Sequence, residues 1–199
     1  MMKMKAVYLA KKGGAESLVS GEILRPSPEA SQLMVKVHAT AITPAEIQWS
    51  PTLQDRLGAP RPFPVVLGHE FSGVVEIIGP NVSGFQAGEE IFGVNDWFTN
   101  GAQAEYCLED QTRLAQKPKS LSHTEAAVVP TSALTAWQGL FERGNLQRGQ
   151  RVLIHGAAGT FFISHCWVPP AVFALMPGIC LAWIVIGFFP TLIIAGGHF

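Results

Sequence analysis

The sequence predicts a mixed β and α/β protein, in which a β-rich, barrel-like domain is followed by the start of an α/β domain and an uncharged apolar tail. Three observations predict this order. Short runs of β-branched and aromatic residues, bounded by Gly, Pro and Asn, fill the first part of the chain. Helical periodicity begins at Ser122. All 14 Lys and Arg and all 15 Asp and Glu residues lie before residue 161.

The first predicted domain covers residues 1–121 and consists mainly of strands. Many short strands separated by dense turn signals suggest a barrel-like fold. The predicted strands are KAVYLA (5–10), QLMVKVHATAI (32–42), FSGVVEIIG (71–79), EEIFGV (89–94) and QAEYCLE (103–109).

The second predicted domain, residues 122–160, begins with helices. Ser122, followed three residues later by Glu125, forms a predicted capping box, and TSALTAWQGLFERG then places apolar residues at helical spacing. Gly144 stands where a C-cap glycine belongs. The compact apolar run RVLIHG (151–156) predicts a strand of the kind that is buried in a parallel sheet. Strands followed by helix, strand and glycine turn predict two successive domains.

Net charge and cysteine pattern indicate which partners and which cellular compartment to expect. The formal net charge is -1 and no basic run is present, so the sequence predicts no nucleic-acid binding. The three cysteines, Cys107, Cys166 and Cys180, form no Cys-x-x-Cys pair, which favours a reducing setting over a disulfide framework. The short apolar run near the N-terminus is followed at once by two lysines and is too short for a signal peptide. We therefore expect a cytoplasmic protein.

Five ordered motifs carry a family resemblance: VLGHEFSGVV (66–75), GFQAGEEIFGV (84–94), GAQAEYCL (101–108), ALTAWQGL (133–140) and RVLIHGAAG (151–159). Together they resemble the medium-chain dehydrogenase/reductase superfamily, and most closely its zinc-independent, quinone-oxidoreductase-like branch. The resemblance covers residues 4–159. It implies a GroES-like barrel on the substrate side, a Rossmann domain that binds NADPH, hydride transfer to a quinone or an activated alkene or carbonyl, and a homodimer in the full-length form.

The resemblance places His69 where zinc-dependent relatives have a metal-binding histidine. A catalytic zinc site needs three protein ligands, yet the loop TAITPAEIQW holds no cysteine and the cysteines of a structural zinc lobe are missing. We therefore predict no metal. Gly68 and Gly73, on either side of His69, suit a tight turn and a close backbone approach. His69 is then either a hydrogen-bonded structural histidine or a substrate-pocket residue.

Three further residues enter the predicted pocket through the resemblance, and none is identified as catalytic. Thr43 stands where the branch often has an asparagine near the nicotinamide, and Glu46 stands where an aspartate is common. For Thr43 the alternative is an N-cap, since Pro44 suits the first helical position. Thr135 matches the threonine that faces the nicotinamide ring; the alternative is a mid-helix hydroxyl bonded to a backbone carbonyl.

Three residues with reactive or aromatic side chains invite other interpretations. Cys107 has no histidine or basic neighbour in sequence, which favours a small core residue over a nucleophile. Trp97 and Phe98 are predicted either to line a flat aromatic pocket or to anchor their loop.

The predicted cofactor turn is incomplete. Gly156, Ala157, Ala158 and Gly159 match the glycine turn of the branch, but Thr160 and Phe162 stand where the next glycines belong. Pro169 and Pro170 fall within the helix that should follow, and an interior proline costs about 3 kcal/mol. The choice between NADH and NADPH cannot be predicted from these residues, so NADPH enters only through the resemblance.

The tail, residues 161–199, has three alternative interpretations. Its uncharged stretch 171–189 is close to the roughly 20 residues that span a bilayer, although Pro177 and Gly178 interrupt it. A change of reading frame or splicing, a membrane-associated tail, and a buried helical pair all remain open. The sequence thus predicts either an impaired quinone-reductase-type oxidoreductase or a non-catalytic barrel fragment with a membrane-binding or partner-binding tail.

Overall fold

A computed structural model describes residues 2–154 and 192–195 of the chain. The chain divides into two compact units, Met1–Pro130 and Thr131–Phe199. The mixed architecture is confirmed, because a strand-rich first unit precedes a second unit that begins with a helix. The domain limits after residues 121 and 160 stay a prediction.

The first unit holds two antiparallel sheets. The five-stranded sheet has the order β7-β3-β5-β6-β8, and the three-stranded sheet has the order β2-β1-β4. The strands are β1 Lys3–Leu9, β2 Leu18–Leu24, β3 Gln32–Thr40, β4 Val65–Val66, β5 Glu70–Ile78, β6 Glu90–Val94, β7 Tyr106–Asp110 and β8 Leu114–Gln116.

All five predicted strands of this unit are confirmed to within a few residues. The prediction missed β2, β4 and β8. β2 contains Gly21 and lacks a strict apolar alternation, yet it pairs with β1 along its whole length. β4 and β8 are two and three residues long, which is too short for a periodic signal. Pairing with longer neighbours, rather than local propensity, makes these segments strands.

The core of the larger sheet lies on one face of its central strands. Its fully buried members come from β3, β5, β6, β7 and the loop before β7: Leu33, Val35, Phe71, Val75, Ile91, Ala102 and Cys107. Gly73 in β5 allows β3 to approach closely, because a Cβ at this position would lie 2.2 Å from the carbonyl oxygen of Lys36. The predicted close backbone approach at Gly73 is therefore confirmed.

The helical segments are short. They are α1 Ser50–Leu53, α2 His123–Ala126, α3 Pro130–Trp137, the 3-10 turns Ala15–Ser17, Pro44–Gln48 and Gln111–Arg113, and a π-helical turn Gln138–Arg143. The predicted capping box is confirmed, since Ser122 accepts from the Glu125 N–H and the Glu125 carboxylate accepts from the Ser122 N–H. Gly144 occupies the C-cap, but with φ of −81°; the left-handed residue is Asn145, at φ 46°.

The predicted strand at RVLIHG is present as β9, Arg151–Ile154, but its partner differs from the prediction. β9 pairs antiparallel with β10, Leu192–Ala195, so the expected parallel partner is wrong for the described residues. An apolar run of this length predicts a buried strand without specifying the direction of its neighbour. Within the described residues no helix is long and apolar enough to cross a membrane. The predicted span 171–189 lies outside them.

Candidate functional site

His69 is fixed at the start of β5 by the turn that precedes it. Gly68 has φ of 84°, a conformation that L side chains rarely adopt, so the predicted tight turn is confirmed. The carbonyl oxygen of His69 accepts from the Asn95 N–H at 2.8 Å, and that of Gly68 accepts from the Ala102 N–H at 2.6 Å. Backbone hydrogen bonds to two other loops therefore hold the histidine in place.

Glu46 reaches this histidine from a different segment of the chain. It lies in the 3-10 turn Pro44–Gln48, and its Oε1 is 2.5 Å from Nδ1 of His69. The same oxygen accepts from the Gly68 N–H at 2.8 Å. The exposed fractions of the two side chains are 2% for Glu46 and 1% for His69. A buried carboxylate is costly unless it is hydrogen-bonded, and these two donors satisfy its Oε1.

The hydrogen bonds also define the orientation of the imidazole. Oε1 of Glu46 accepts a hydrogen bond from the Gly68 N–H. We therefore assign Nδ1 of His69 as the protonated nitrogen, which donates to the same oxygen. The other ring nitrogen, Nε2, lies 3.4 Å from the carbonyl oxygen of Thr99. Glu46 therefore fixes the ring through one nitrogen, and the second nitrogen is directed toward the Thr99 backbone.

The turn that carries Glu46 is anchored from both sides. The Thr52 hydroxyl donates to the carbonyl oxygen of Glu46 at 2.6 Å, and the Trp49 N–H donates to it at 3.1 Å. Ile47 in the same turn packs on the second core cluster, which consists of Leu9, Val65 and Leu67. Apolar packing thus places the turn, and hydrogen bonds orient its carboxylate.

One indole ring covers His69, and a second packs against the first. Trp97 stacks on His69 with ring centroids 4.8 Å apart and an interplanar angle of 29°. Trp49 meets Trp97 edge-on at 5.1 Å and 65°. Both indoles are half-buried, so each keeps part of its surface open to solvent. The site is therefore a buried polar pair beneath a partly open aromatic surface.

Thr43 and Thr135 show local hydrogen bonding. The backbone carbonyl of Thr43 accepts from the Glu46 N–H at 3.0 Å, so Thr43 holds the N-cap position, but its side chain makes no cap hydrogen bond. Thr135 in α3 is exposed, and its hydroxyl donates to the Thr131 carbonyl at 2.7 Å. Thr135 belongs to the second unit. Contact of either threonine with a nicotinamide stays a prediction.

The predicted cofactor turn, Gly156, Ala157, Ala158 and Gly159, lies outside the described residues. Cys107 is confirmed as a core residue: it is buried in the larger sheet, and burial raises the pKa of its thiol. In residues 2–154 and 192–195, no group of three or more His, Cys, Asp or Glu side chains is arranged to hold a metal ion.

The sequence reasoning missed Trp49, Arg56 and Asp96. Arg56 pairs with the Asp96 carboxylate, and its guanidinium lies 4.8 Å from the centre of the Phe98 ring. The helical spacing of Trp49 from Glu46 could have placed it on the same side of the turn. An aspartate two residues before Phe98 is typical of a side-chain-capped turn, and Asp96 Oδ1 does accept from the Phe98 N–H at 3.0 Å.

Comparisons with known proteins agree with this fold. The profile of the alcohol dehydrogenase GroES-like domain matches residues 29–139. The chain is 28% identical to the quinone oxidoreductase of Rattus norvegicus over 169 residues, which is 84% of this chain and 50% of that protein. It is 33% identical to the mitochondrial NAD(P)H oxidoreductase RTN4IP1 of Mus musculus over 144 residues, 65% of this chain and 36% of that protein.

A solved structure is similar to this chain in both fold and sequence. The quinone oxidoreductase from Coxiella burnetii matches with a TM-score of 0.71 and 27% identity, covering 82% of this chain and 52% of that one. The chain therefore spans about half the length of the quinone oxidoreductases that it matches.

Proposed function

Since the chain belongs to the alcohol dehydrogenase GroES-like family, in the quinone-oxidoreductase-like branch of the medium-chain dehydrogenase/reductase superfamily, we propose that it forms the acceptor side of an NAD(P)H-dependent reductase. The acceptor is a quinone or an activated alkene or carbonyl. The observation that carries the proposal is the buried Glu46–His69 pair beneath Trp97. A quinone oxidoreductase and an NAD(P)H oxidoreductase among the relatives support the reaction class.

A flat conjugated acceptor suits this aromatic surface. One face of Trp97 is occupied by the imidazole of His69, and Trp49 touches it edge-on, yet both indoles remain half-open. Aromatic rings pack in offset-stacked or edge-to-face arrangements, and such pairs contribute about 0.5–1.5 kcal/mol beyond their buried area. We propose that the acceptor ring packs against the open parts of Trp97 and Trp49.

In this proposal, Glu46 and His69 orient other groups of the site and do not themselves react. Glu46 fixes the imidazole of His69, and the imidazole supports the stacked indole from below. Thr43, whose side chain is not used for capping, contacts the acceptor or the nicotinamide. We propose that Thr135, whose hydroxyl donates to the Thr131 carbonyl, faces the nicotinamide as the resemblance implies.

A nicotinamide cofactor, when bound, supplies the hydride. We propose that Gly156, Ala157, Ala158 and Gly159 approach its pyrophosphate, as the resemblance implies. Thr160 and Phe162 replace the glycines that would let the following helix pack closely on its strand. We therefore propose that this chain binds NADPH weakly and turns over slowly.

The test separates cofactor binding from turnover. NADPH is titrated into the full chain by isothermal calorimetry, and NADPH oxidation is followed with 1,4-naphthoquinone as acceptor. We expect heat of binding only at high NADPH concentration and oxidation that requires the quinone. Submicromolar NADPH affinity would contradict weak cofactor binding, and oxidation with no dependence on the quinone would contradict the proposed reaction.

The second candidate function is a non-catalytic GroES-like domain with a membrane-binding or partner-binding tail. It is favoured by one observation, the lack of any Asp, Glu, Lys or Arg in residues 161–199. Flotation of the full chain with neutral phosphatidylcholine vesicles tests it, with Ile184→Lys as the matched variant. Co-flotation that the lysine abolishes supports membrane binding; absence of co-flotation contradicts it. Homodimer formation, expected for the full-length form, is measured by sedimentation of the same sample.

A further inference from the structure

Asp96 is the most highly connected residue of the loop that carries Trp97. Its Oδ1 accepts from the Phe98 N–H at 3.0 Å, and its backbone carbonyl accepts from both the N–H and the hydroxyl of Thr99, at 3.0 and 2.9 Å. Its own N–H donates to Oε2 of Glu109 at 2.8 Å. These bonds close a tight turn directly around Trp97, on both sides of the residue that stacks on His69.

The carboxylate of Asp96 also joins this loop to a second segment. Its Oδ2 pairs with the guanidinium of Arg56 and lies 3.5 Å from Nη2 of Arg113. Arg56 follows α1, whose N-cap is Trp49, and it extends over the ring of Phe98. This ion pair therefore links the segment that bears Trp49 to the segment that bears Trp97.

The charge of Asp96 is maintained by its surroundings. Burial acts to raise the pKa of Asp96, but the Phe98 N–H and the guanidinium groups of Arg56 and Arg113 outweigh it and hold the pKa below its usual value. The carboxylate is 20% exposed, whereas the Arg56 side chain is 60% exposed. The Asp96 carboxylate is thus the more shielded member of the ion pair, and Arg56 is the member that solvent can reach.

We propose that Asp96 is a positioning residue that sets the shape of the aromatic surface: its turn directs Trp97 onto His69, and its pairing with Arg56 fixes Trp49 against Trp97. It thereby selects extended planar acceptors over small ones. The selection of acceptors rests on the proposed function, whereas the positioning of the two indoles does not.

Three variants separate the turn from the ion pair. Asp96→Asn keeps an oxygen that accepts from the Phe98 N–H but loses the charge that Arg56 and Arg113 pair with. Asp96→Ala loses both, and Arg56→Gln removes the bridge while leaving the turn intact. Lys3→Gln, in the exposed ion pair between Lys3 and Glu22, is the control for loss of a surface charge.

The first measurement uses no ligand. Near-ultraviolet circular dichroism reports the coupling of stacked indoles, and Trp97→Phe defines the signal of the Trp49–Trp97 contact. We expect Asp96→Ala to lose most of that signal, Asp96→Asn and Arg56→Gln to lose part of it, and Lys3→Gln to retain it. Retention of the full signal in both Asp96→Ala and Arg56→Gln would overturn the proposal. If Asp96→Ala does not fold, the signal of Arg56→Gln decides the outcome, because the Arg56 side chain is mostly exposed.

The second measurement compares two acceptors on the same proteins. In Asp96→Ala and Arg56→Gln we expect the affinity for 1,4-naphthoquinone to fall about tenfold, while that for 1,4-benzoquinone changes little. An equal loss for both quinones contradicts a role in selection and indicates a merely structural one. If the indole signal changes as expected but the unsubstituted chain binds neither quinone, the positioning is supported and the proposed function is contradicted.

Discussion

Nδ1 of His69 lies 2.5 Å from Oε1 of Glu46, and both side chains are almost completely shielded from solvent. The two residues come from separate loops of the barrel, one before β5 and one in the 3-10 turn after β3. Their contact joins these two loops beneath the aromatic surface formed by Trp97 and Trp49.

Removal of the Glu46 carboxylate leaves two buried donors without an acceptor, the Gly68 N–H and Nδ1–H of His69. We expect Glu46→Ala to lower the free energy of unfolding by about 2–6 kcal/mol, because each unsatisfied buried donor costs about 1–3 kcal/mol. Glu46→Gln, which keeps an amide oxygen, should cost about 1–3 kcal/mol. Urea denaturation measures both. Glu22→Ala, from an exposed ion pair, is the control and should change stability by no more than about 0.5 kcal/mol.

Gly68→Ala should be destabilising for two separate reasons. The left-handed backbone alone costs about 1–2 kcal/mol in an L-residue. In addition, a Cβ at Gly68 would lie 2.6 Å from Oγ1 of Thr40 and 2.8 Å from Cγ of Gln103. Gly84→Ala is the matched control, because Gly84 has φ of 81° and no atom near the added Cβ. Equal stability losses in the two variants would show that the neighbours of Gly68 yield without cost.

We predict that the stability of the folded chain falls in acid because of His123, whose imidazole lies beside that of His38. Their ring centroids are 4.4 Å apart, and burial, followed by the charge of His38, lowers the pKa of His123 despite the opposing effect of Glu90. The unfolded chain therefore binds the proton more tightly than the folded chain, so stability falls as pH drops through the unfolded value of about 6.5.

His123→Gln tests this acid sensitivity. The surrounding groups are the hydroxyl of Ser72, 2.8 Å from Nδ1 of His123, the carboxylate of Glu90, 3.4 Å from Nε2, and the ammonium of Lys117, which pairs with Glu90. Urea midpoints at pH 7 and pH 5 should differ less in His123→Gln than in the unsubstituted chain. An unchanged difference would show that other groups determine the acid response.

Cys107 should be chemically inert while the barrel is folded. It is 3% exposed, and burial raises the pKa of its thiol, so almost no thiolate is available. In a Cys166→Ser, Cys180→Ser variant, we expect iodoacetamide to modify Cys107 only in denaturant. Modification of the native protein at the rate of a free thiol would contradict its place in the core.

The sequence predicted the barrel strands well because β-branched and aromatic runs between turn residues are local signals. It could not predict β2 or the antiparallel pairing of β9 with β10, since both depend on which segment becomes a neighbour. The family resemblance brought Glu46 and His69 to one pocket, but their hydrogen bond depends on the left-handed turn at Gly68. The spacing of Trp49 from Glu46 could have placed it on the same side of the turn, but its contact with Trp97, from a distant loop, has no signal in the sequence.

Binding of 1,4-naphthoquinone to the full chain, measured by calorimetry in the absence of NADPH, tests whether the aromatic surface holds the acceptor. We predict saturable binding that Trp97→Ala weakens by about tenfold or more. Trp137→Ala, which removes an exposed indole in α3, should leave it unchanged. Equal affinity in the unsubstituted chain and Trp97→Ala, or no binding at all, would contradict the claim that the surface over Glu46 and His69 holds the acceptor.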